Sequence, residues 1–525
     1  MAGTEANGKG WGELFGITAA LLAGHAIWRR KKLGPDAMRR SKTAEDLFQN
    51  GSSLREPGRH IFVVTTAALP WLTGTAVNPL LRVAYLSRNT EIMVTLVIPW
   101  LEVEEQKLVY PNGQTFTVNA EQEAYMREWL SSRVDFEPRF DIIWYPSKYD
   151  NALKSIIPSG SGDITRVIPH DMADVAVLEE PEHLNWFNSG RRWIDTFCHV
   201  VGVCHTNYLE YARRESGEAN ARLLERINLW TVQMHCHKVI KLSDAVQPLP
   251  RSVTCFVHGV SERFLEVGDT TDGGEGQGAY FIGKAIWGKG YTELLTLLHD
   301  HSARRARPAI KLDVYGSGED LEAIQAESNK LGLGCVFHGR RDHLDPELHR
   351  YRCFINPSTS DVVATTSAEA LAMGKWIVVA DHPENEFFKP FANCLVYRSP
   401  DEFSACVARA LVEPPAPLTP RERYSLTWEA ATERFLDAAE IKAGQWPPSV
   451  LTDQVGGLTY SLICEMLKTF KNGLTLSRRV ALGFRKAVSK NSLAQLLAQQ
   501  EAKQQQQKKK EAKQEARAMV EHAAA

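Results

Sequence analysis

Residues 353–381 read CFINPSTSDVVATTSAEALAMGKWIVVAD. The stretch divides into a short apolar strand, a polar loop of small residues, a helix over Thr366–Met373 stopped by Gly374, and a second apolar strand. Serine and threonine at a helix entrance behind a strand mark the place where a parallel sheet offers unpaired backbone N–H groups to an anion. Asp361 stands on the loop and Glu369 on the helix. Carboxylates so placed accept hydrogen bonds from sugar hydroxyls, while the amides and threonines between them hold phosphate. A nucleotide-sugar needs that combination.

Working outward, apolar β-branched runs alternate with helical periods on both sides. In the second half, strands are expected at Ala279–Ile282, Ile310–Tyr315, Val336–His338, Cys353–Asn356, Trp376–Ala380 and Leu395–Tyr397, with helices at Tyr291–His299 and Leu321–Leu331. In the first half they are expected at Ile61–Thr66, Ile92–Pro99, Ile142–Tyr145, Val175–Leu178, Val200–Cys204, Val239–Leu242 and Thr254–Val257. Continuous apolar strands belong to parallel sheets covered on both faces. The expected fold is α/β, with two doubly wound Rossmann-like domains facing a cleft and ligands beyond the carboxyl ends of the strands. The divisions are a tail at 1–54, a first domain at 55–272, a Gly-rich linker at 273–278, a second domain at 279–415, a closing helix within 416–445 (over Arg421–Ala443) and a tail at 446–525.

Composition narrows the function. A net charge of −2 provides no basic excess for binding nucleic acid. Nine scattered cysteines without a CxxC pair suggest neither a zinc site nor a disulfide framework, and so a reducing compartment. In the tails, Trp11–Trp28 is mostly apolar and is followed by Arg29, Arg30, Lys31 and Lys32. It reads as a weak membrane anchor at 11–32, or as a packed surface helix with a basic end. Leu474–Lys490 forms a basic amphipathic pattern suited to an anionic bilayer, or a solvated helix, and a low-complexity Ala/Gln/Lys end follows.

Several residues could carry chemistry. Lys284 and Lys289, in GKAIWGKG before the helix at Tyr291, suit a diphosphate and its departure. Gly316, in GSGED, permits a tight turn near a ligand, and a simple turn explains it nearly as well. Gly74, in the loop TGTAVN after the first strand, allows close backbone approach to a sugar or acceptor; a strand-to-helix connection is the bland alternative. His205 ends an apolar strand, where an imidazole points into the crevice to hydrogen-bond or polarise a sugar; a structural histidine is the alternative. Glu179, Glu180 and Glu182 follow another strand, with Trp186 nearby to stack on a pyranose, or else form an acidic turn beside a buried aromatic helix. No DxD triplet occurs, so no metal or other cofactor is expected to bridge the diphosphate, and cationic side chains would neutralise it instead.

Taken together, the GK/KG pair, VYGSGED and the acidic pair ending in Glu369 resemble the retaining GT-B glycosyltransferases of the sucrose-synthase-like group. LPWLTGTAVNPLLRVAYL, VAVLEEPEHLNWF, VGVCHTNYLEYA, HGVSERFL, DVVATTSAEALAMGK and HPENEFF are similar, in order, to the plastid digalactosyldiacylglycerol synthase family. The resemblance spans roughly residues 58–440 and leaves the tails outside. It implies transfer of galactose from UDP-galactose to monogalactosyldiacylglycerol, with retention and an α-(1→6) linkage. It implies work at a membrane surface with anionic lipid, at the cytosol-facing outer membrane of the chloroplast envelope.

By position, it implies that Lys284 and Lys289 bind the diphosphate, Thr365 and Thr366 the phosphates, Asp361 the donor sugar and Glu369 the ribose. His205 falls at the active-site histidine, and His205 and Lys289 are the expected catalytic pair. Gly74, Glu179, Glu182 and Trp186 are the acceptor candidates. The wider group has Glu followed by Phe-Gly where this chain has Asp361-Val362-Val363, a triplet similar to the galactolipid subgroup. The alternatives are a related lipid glucosyl- or sulfoquinovosyltransferase, or a non-catalytic galactolipid-binding tether.

Overall fold

The computed structural model describes residues 44–151, 153–270, 276–303 and 310–445. The anchor candidate at 11–32, the basic helix at 474–490, the low-complexity end and the first half of the linker lie outside the described residues.

The first sheet contains β1 His60–Val64, β2 Met93–Trp100, β3 Asp141–Asp150, β4 Ser155–Pro158, β5 Val175–Glu179, β6 His199–Cys204, β7 Lys238–Lys241 and β8 Ser252–Thr254. Its order is β4-β3-β2-β1-β5-β6-β7-β8. Every pairing is parallel except β3 with β4. Every residue of β1, β5, β6 and β7 is buried, which is why the middles of these strands read as apolar runs, with polar residues only at their ends. The short antiparallel β4 escapes sequence reading, because SIIP has neither the length nor the alternation of a strand. The last strand is Ser252–Thr254 instead of the expected Thr254–Val257. Phe256 and Val257 are apolar because they pack in the interior as loop, not as sheet.

The second sheet contains β9 Ala279–Ile282, β10 Leu312–Tyr315, β11 Cys335–Gly339, β12 Cys353–Asn356, β13 Trp376–Ala380 and β14 Cys394–Tyr397. It is parallel throughout, in the order β11-β10-β9-β12-β13-β14. The winding direction reverses between β9 and β12 here, and between β1 and β5 in the first sheet. At such a switch point the loops leaving adjacent strands diverge and open a crevice. The two reversals put the loops after β9 and β12 side by side in one lobe, and those after β1 and β5 side by side in the other.

The expected closing helix is two helices, Pro420–Leu426 and Trp428–Ala439. Thr427 between them is extended (φ −70°, ψ 158°), and its hydroxyl accepts from the Ala430 N–H to cap the second. That second helix returns to the first lobe. Its Glu433 and Asp437 each lie 2.8 Å from Arg55, and Trp428 stacks on Tyr85 at 5.9 Å.

The expected loop at Thr73–Asn78 is also helical: the helix Gly74–Leu86 begins there and carries Pro79 inside it. Pro79 has no N–H to give to the carbonyl of Thr75, four residues back. The Thr65 hydroxyl, just past β1, donates to that carbonyl instead. A hydrogen bond removed by proline thus becomes the tie between the helix entrance and the strand end.

Candidate functional site

In the second lobe, the loop after β9 ends in Gly290, with φ +87°. A Cβ there would meet the Ser358 backbone nitrogen at 2.9 Å, so glycine lets this loop lie against the one after β12. The Ser360 hydroxyl donates to the Gly288 carbonyl across the same seam. This packing delivers the Lys289 ammonium onto Asp361 Oδ1. Burial opposes the lysine's charge, yet Asp361 and the neighbouring Tyr211 outweigh it and hold the ammonium above its ordinary range. Beneath them, just past β13, lies Glu384, fully buried and 3.4 Å from His382 Nδ1. Neither of its oxygens makes a well-formed hydrogen bond. Burial and then the charge of Asp361 push its carboxyl well above the usual carboxylate range. Sequence reading assigned it nothing, although an acid at the end of a buried parallel strand is a signal that could have been followed.

The helix over Thr365–Ala372 begins one residue earlier than expected and ends at Gly374, whose φ of +71° suits glycine. No side chain caps its first turn, and Thr365 and Thr366 are partly exposed there, so its amides are available to an anion. Glu369 lies on the same helix, with one oxygen accepting from His343 Nδ1 at 2.6 Å. Lys284 is exposed. At Gly316 a Cβ would fall 1.9 Å from the Gly283 carbonyl oxygen, so packing by itself requires glycine there.

In the first lobe, His205 follows β6 and its Nε2 bonds to Glu179 at the end of β5. Glu179 in turn receives Arg82 Nε at 2.6 Å, and neither of these two side chains has any exposed surface. Burial opposes ionisation of Glu179; the charge of Arg82 and the hydrogen bond from His205 overcome it and hold the carboxyl below its ordinary range. An ionised carboxylate only accepts, so the imidazole proton sits on Nε2 and Nδ1 is left as an acceptor in the neutral ring. The His258 ring lies beside it, tilted, at 4.9 Å.

Two acceptor candidates are therefore corrected. Glu179 stands behind His205, not at the surface. Glu182 is buried against the Cys204 thiol and does not line the cavity that Trp186 faces. A third, Gly74, is the exposed first residue of its helix, where a Cβ would find only Asn78 Nδ2 at an ordinary 3.5 Å. Trp186 does face a cavity of about 470 Å³, walled by Trp71, Thr73, Thr75, Phe187, Tyr208 and Glu180, among others.

Glu180 is the carboxylate this cavity contains, at φ +70°, a left-handed conformation uncommon for a residue with a side chain. Thr206 and Tyr208 hydroxyls donate to it, and His183 Nδ1 lies 3.8 Å away. Burial opposes its charge, but His183, His205 and Thr206 keep its carboxyl below the ordinary range. Two neighbouring glutamates had equal claim in sequence. Backbone direction at the strand end decides between them.

Burial pushes the Glu182 carboxyl up to about 7, from an ordinary 4.5. The folded state therefore holds this proton more tightly than the unfolded chain. The stability it contributes is complete below pH 4.5 and falls as pH rises to about 7. Glu182→Gln should leave stability unchanged at low pH and raise it above neutrality, by on the order of 3 kcal/mol at most. Denaturant unfolding on either side of that window checks this.

The two half-sites meet. Tyr211, which lines the first-lobe cavity, has its ring 5.9 Å from the Lys289 ammonium. Arg214 reaches Glu293 at 3.1 Å, Lys154 pairs with Glu319, and the Ser243 hydroxyl donates to the Val362 carbonyl, each across the lobes. The described residues include no cluster of three metal-ligating side chains. They also include no helix long and apolar enough to cross a membrane.

Residues 277–413 match the family described as glycosyl transferases group 1. Digalactosyldiacylglycerol synthase 1, chloroplastic, of Lotus japonicus is 51% identical over 396 residues, covering 74% of this chain and 50% of its own length. The chain thus spans about half the length of that relative. Digalactosyldiacylglycerol synthase 2, chloroplastic, of the same plant is 51% identical over 391 residues, 73% of this chain and 84% of its own. Among solved structures, the sucrose-phosphate synthase of Thermosynechococcus elongatus aligns with a TM-score of 0.47 at 12% identity, covering 72% of this chain and 97% of that one. The chain has a two-lobed GT-B architecture with a glycosyl transferases group 1 segment in its second lobe, and it belongs to the digalactosyldiacylglycerol synthase family.

Proposed function

We propose that the chain transfers galactose from UDP-galactose to monogalactosyldiacylglycerol, with retention, to give the α-(1→6)-linked digalactosyl lipid. The single observation that carries this reading is the meeting at Tyr211 of a carboxylate-paired ammonium and a carboxylate-bearing, aromatic-walled cavity. The ammonium suits a departing diphosphate and the cavity suits a sugar headgroup. Lys289, Lys284 and the amides at Thr365 and Thr366 take the diphosphate, with no metal required. Asp361 takes the donor sugar and Glu369 the ribose. Glu180, Trp186 and the Thr73/Thr75 edge take the acceptor galactose, and His205 Nδ1 accepts from a sugar hydroxyl.

The C1–phosphate bond breaks as the acceptor hydroxyl approaches the same face. The new C1–O bond forms there, and the hydroxyl proton passes to the leaving phosphate. The names of the relatives support a chloroplast location. We place the enzyme at the cytosol-facing outer envelope membrane, on anionic lipid. Mass spectrometry of lipids after incubating the purified chain with UDP-galactose and monogalactosyldiacylglycerol tests the reading. A digalactosyl product is expected, and far less product with UDP-glucose. A dominant glucosyl product would assign a different donor, and no transfer from either donor would leave a tether.

A further inference from the structure

The loop after β11 carries His343 beneath the helix that bears Glu369. Its side chain is 6% exposed and is held by the rings of Phe264 at 5.8 Å and Phe354 at 6.0 Å. Nδ1 donates to Glu369 Oε2 at 2.6 Å, and Nε2 lies 2.7 Å from the Tyr280 hydroxyl. Tyr280 is wholly buried. Burial, and then the charge of Glu369, hold its phenol well above the ordinary range, so the hydroxyl keeps its proton. It therefore donates to Nε2, and the one proton of a neutral imidazole must sit on Nδ1, aimed at Glu369. Glu369 itself remains 24% exposed, and its Oε1 makes no hydrogen bond among the described residues.

We propose that His343 is a positioning residue for nucleotide recognition. Clamped against Tyr280, it fixes one oxygen of Glu369 so that the other is presented, in one orientation, to a ribose hydroxyl of the nucleoside diphosphate. The inference rests on Glu369 as the ribose ligand. A histidine that merely filled the core would give the same packing, but it would have no influence on which nucleotide the site prefers. A hydrogen bond from a neutral hydroxyl to a carboxylate is worth about 10- to 100-fold in affinity. Loss of its geometry should remove most of that factor.

Calorimetry on the full 525-residue chain, with UDP and with 2′,3′-dideoxyuridine diphosphate, reads the effect as a ratio of the two Kd values. The wild type should favour UDP by about 10- to 100-fold. In His343→Phe that preference should fall to within about threefold, through weaker UDP binding alone, and His343→Asn, which keeps a donor near Nδ1, should restore much of it. Tyr280→Phe keeps both rings in place and frees the tautomer, so it should lower the ratio part-way, and it replaces His343→Phe as the test if that variant does not fold. A wild-type ratio in His343→Phe, or in Tyr280→Phe where the first variant is unfolded, overturns the proposal. A ratio near one in the wild type itself would instead remove Glu369 from the ribose, and the inference with it.

Discussion

Lys289→Ala lowers turnover of UDP-galactose by about 10²- to 10³-fold, the scale of a preorganised charge lost from a developing anion. The ammonium is set between Asp361 and the Tyr211 ring before any ligand arrives, so it needs no reorganisation as the diphosphate departs. Lys284 should matter less, by roughly tenfold, because it is exposed and water screens it. The thermal midpoint should hardly move in either variant, since the Lys289 side chain is still 31% exposed and its pairing with Asp361 contributes modestly to folding. Steady-state kinetics beside thermal unfolding separates the two effects. Near wild-type turnover in Lys289→Ala would remove its assigned role. A fall in midpoint matching the fall in activity would reduce it to a structural cation.

The strands were legible wherever burial on both faces forces unbroken β-branched runs, as in Ile61–Val64, Val175–Leu178 and Trp376–Ala380. Legibility failed where tertiary contacts outweigh local pattern. The Thr73–Asn78 segment looks like a loop of small residues, yet it is a helix entrance, because Thr65 supplies the bond that Pro79 cannot. The closing segment has helical composition throughout, and only the extended Thr427 divides it. In the second lobe the site was readable, because loops after successive parallel strands must converge at a winding reversal; Lys289 and Asp361 meet for that reason. In the first lobe, the run of acids at 179–182 gave chemistry without direction. Glu179 turns inward to Arg82, Glu182 inward to Cys204, and Glu180 toward the cavity. No periodicity encodes that difference; the left-handed backbone at Glu180 does. His343 was invisible for another reason, since its partners Tyr280 and Glu369 are 63 and 26 positions away.

Arg82→Met carries the largest expected cost in stability, about 3–5 kcal/mol, because it leaves the Glu179 carboxylate buried without its main counter-charge. The lost contact of the guanidinium with the Phe435 ring, at 4.5 Å, adds to it. The sign with pH follows from Glu179. Its carboxyl is depressed in the folded state, so the stability it contributes is full above the ordinary 4.5 and is lost as pH falls through the lower folded value. Arg82→Met should remove most of that acid-sensitive stability. Its deficit against the wild type should then be largest near neutrality and shrink below pH 4.5. The double variant Arg82→Met with Glu179→Gln should recover most of the loss, since exchanging a buried ion pair for neutral groups of similar size is often nearly neutral.

Activity should not recover with it. Glutamine does not hold the Nε2 proton of His205 as a carboxylate does, so Nδ1 is no longer a reliable acceptor at the sugar, and turnover should stay down by about 10²-fold. Urea unfolding across the acid range, with kinetics on both variants, reads the two consequences separately. If the double variant regained stability and turnover together, the buried pair would serve the fold alone, and His205 would owe its orientation to His258 and the surrounding packing.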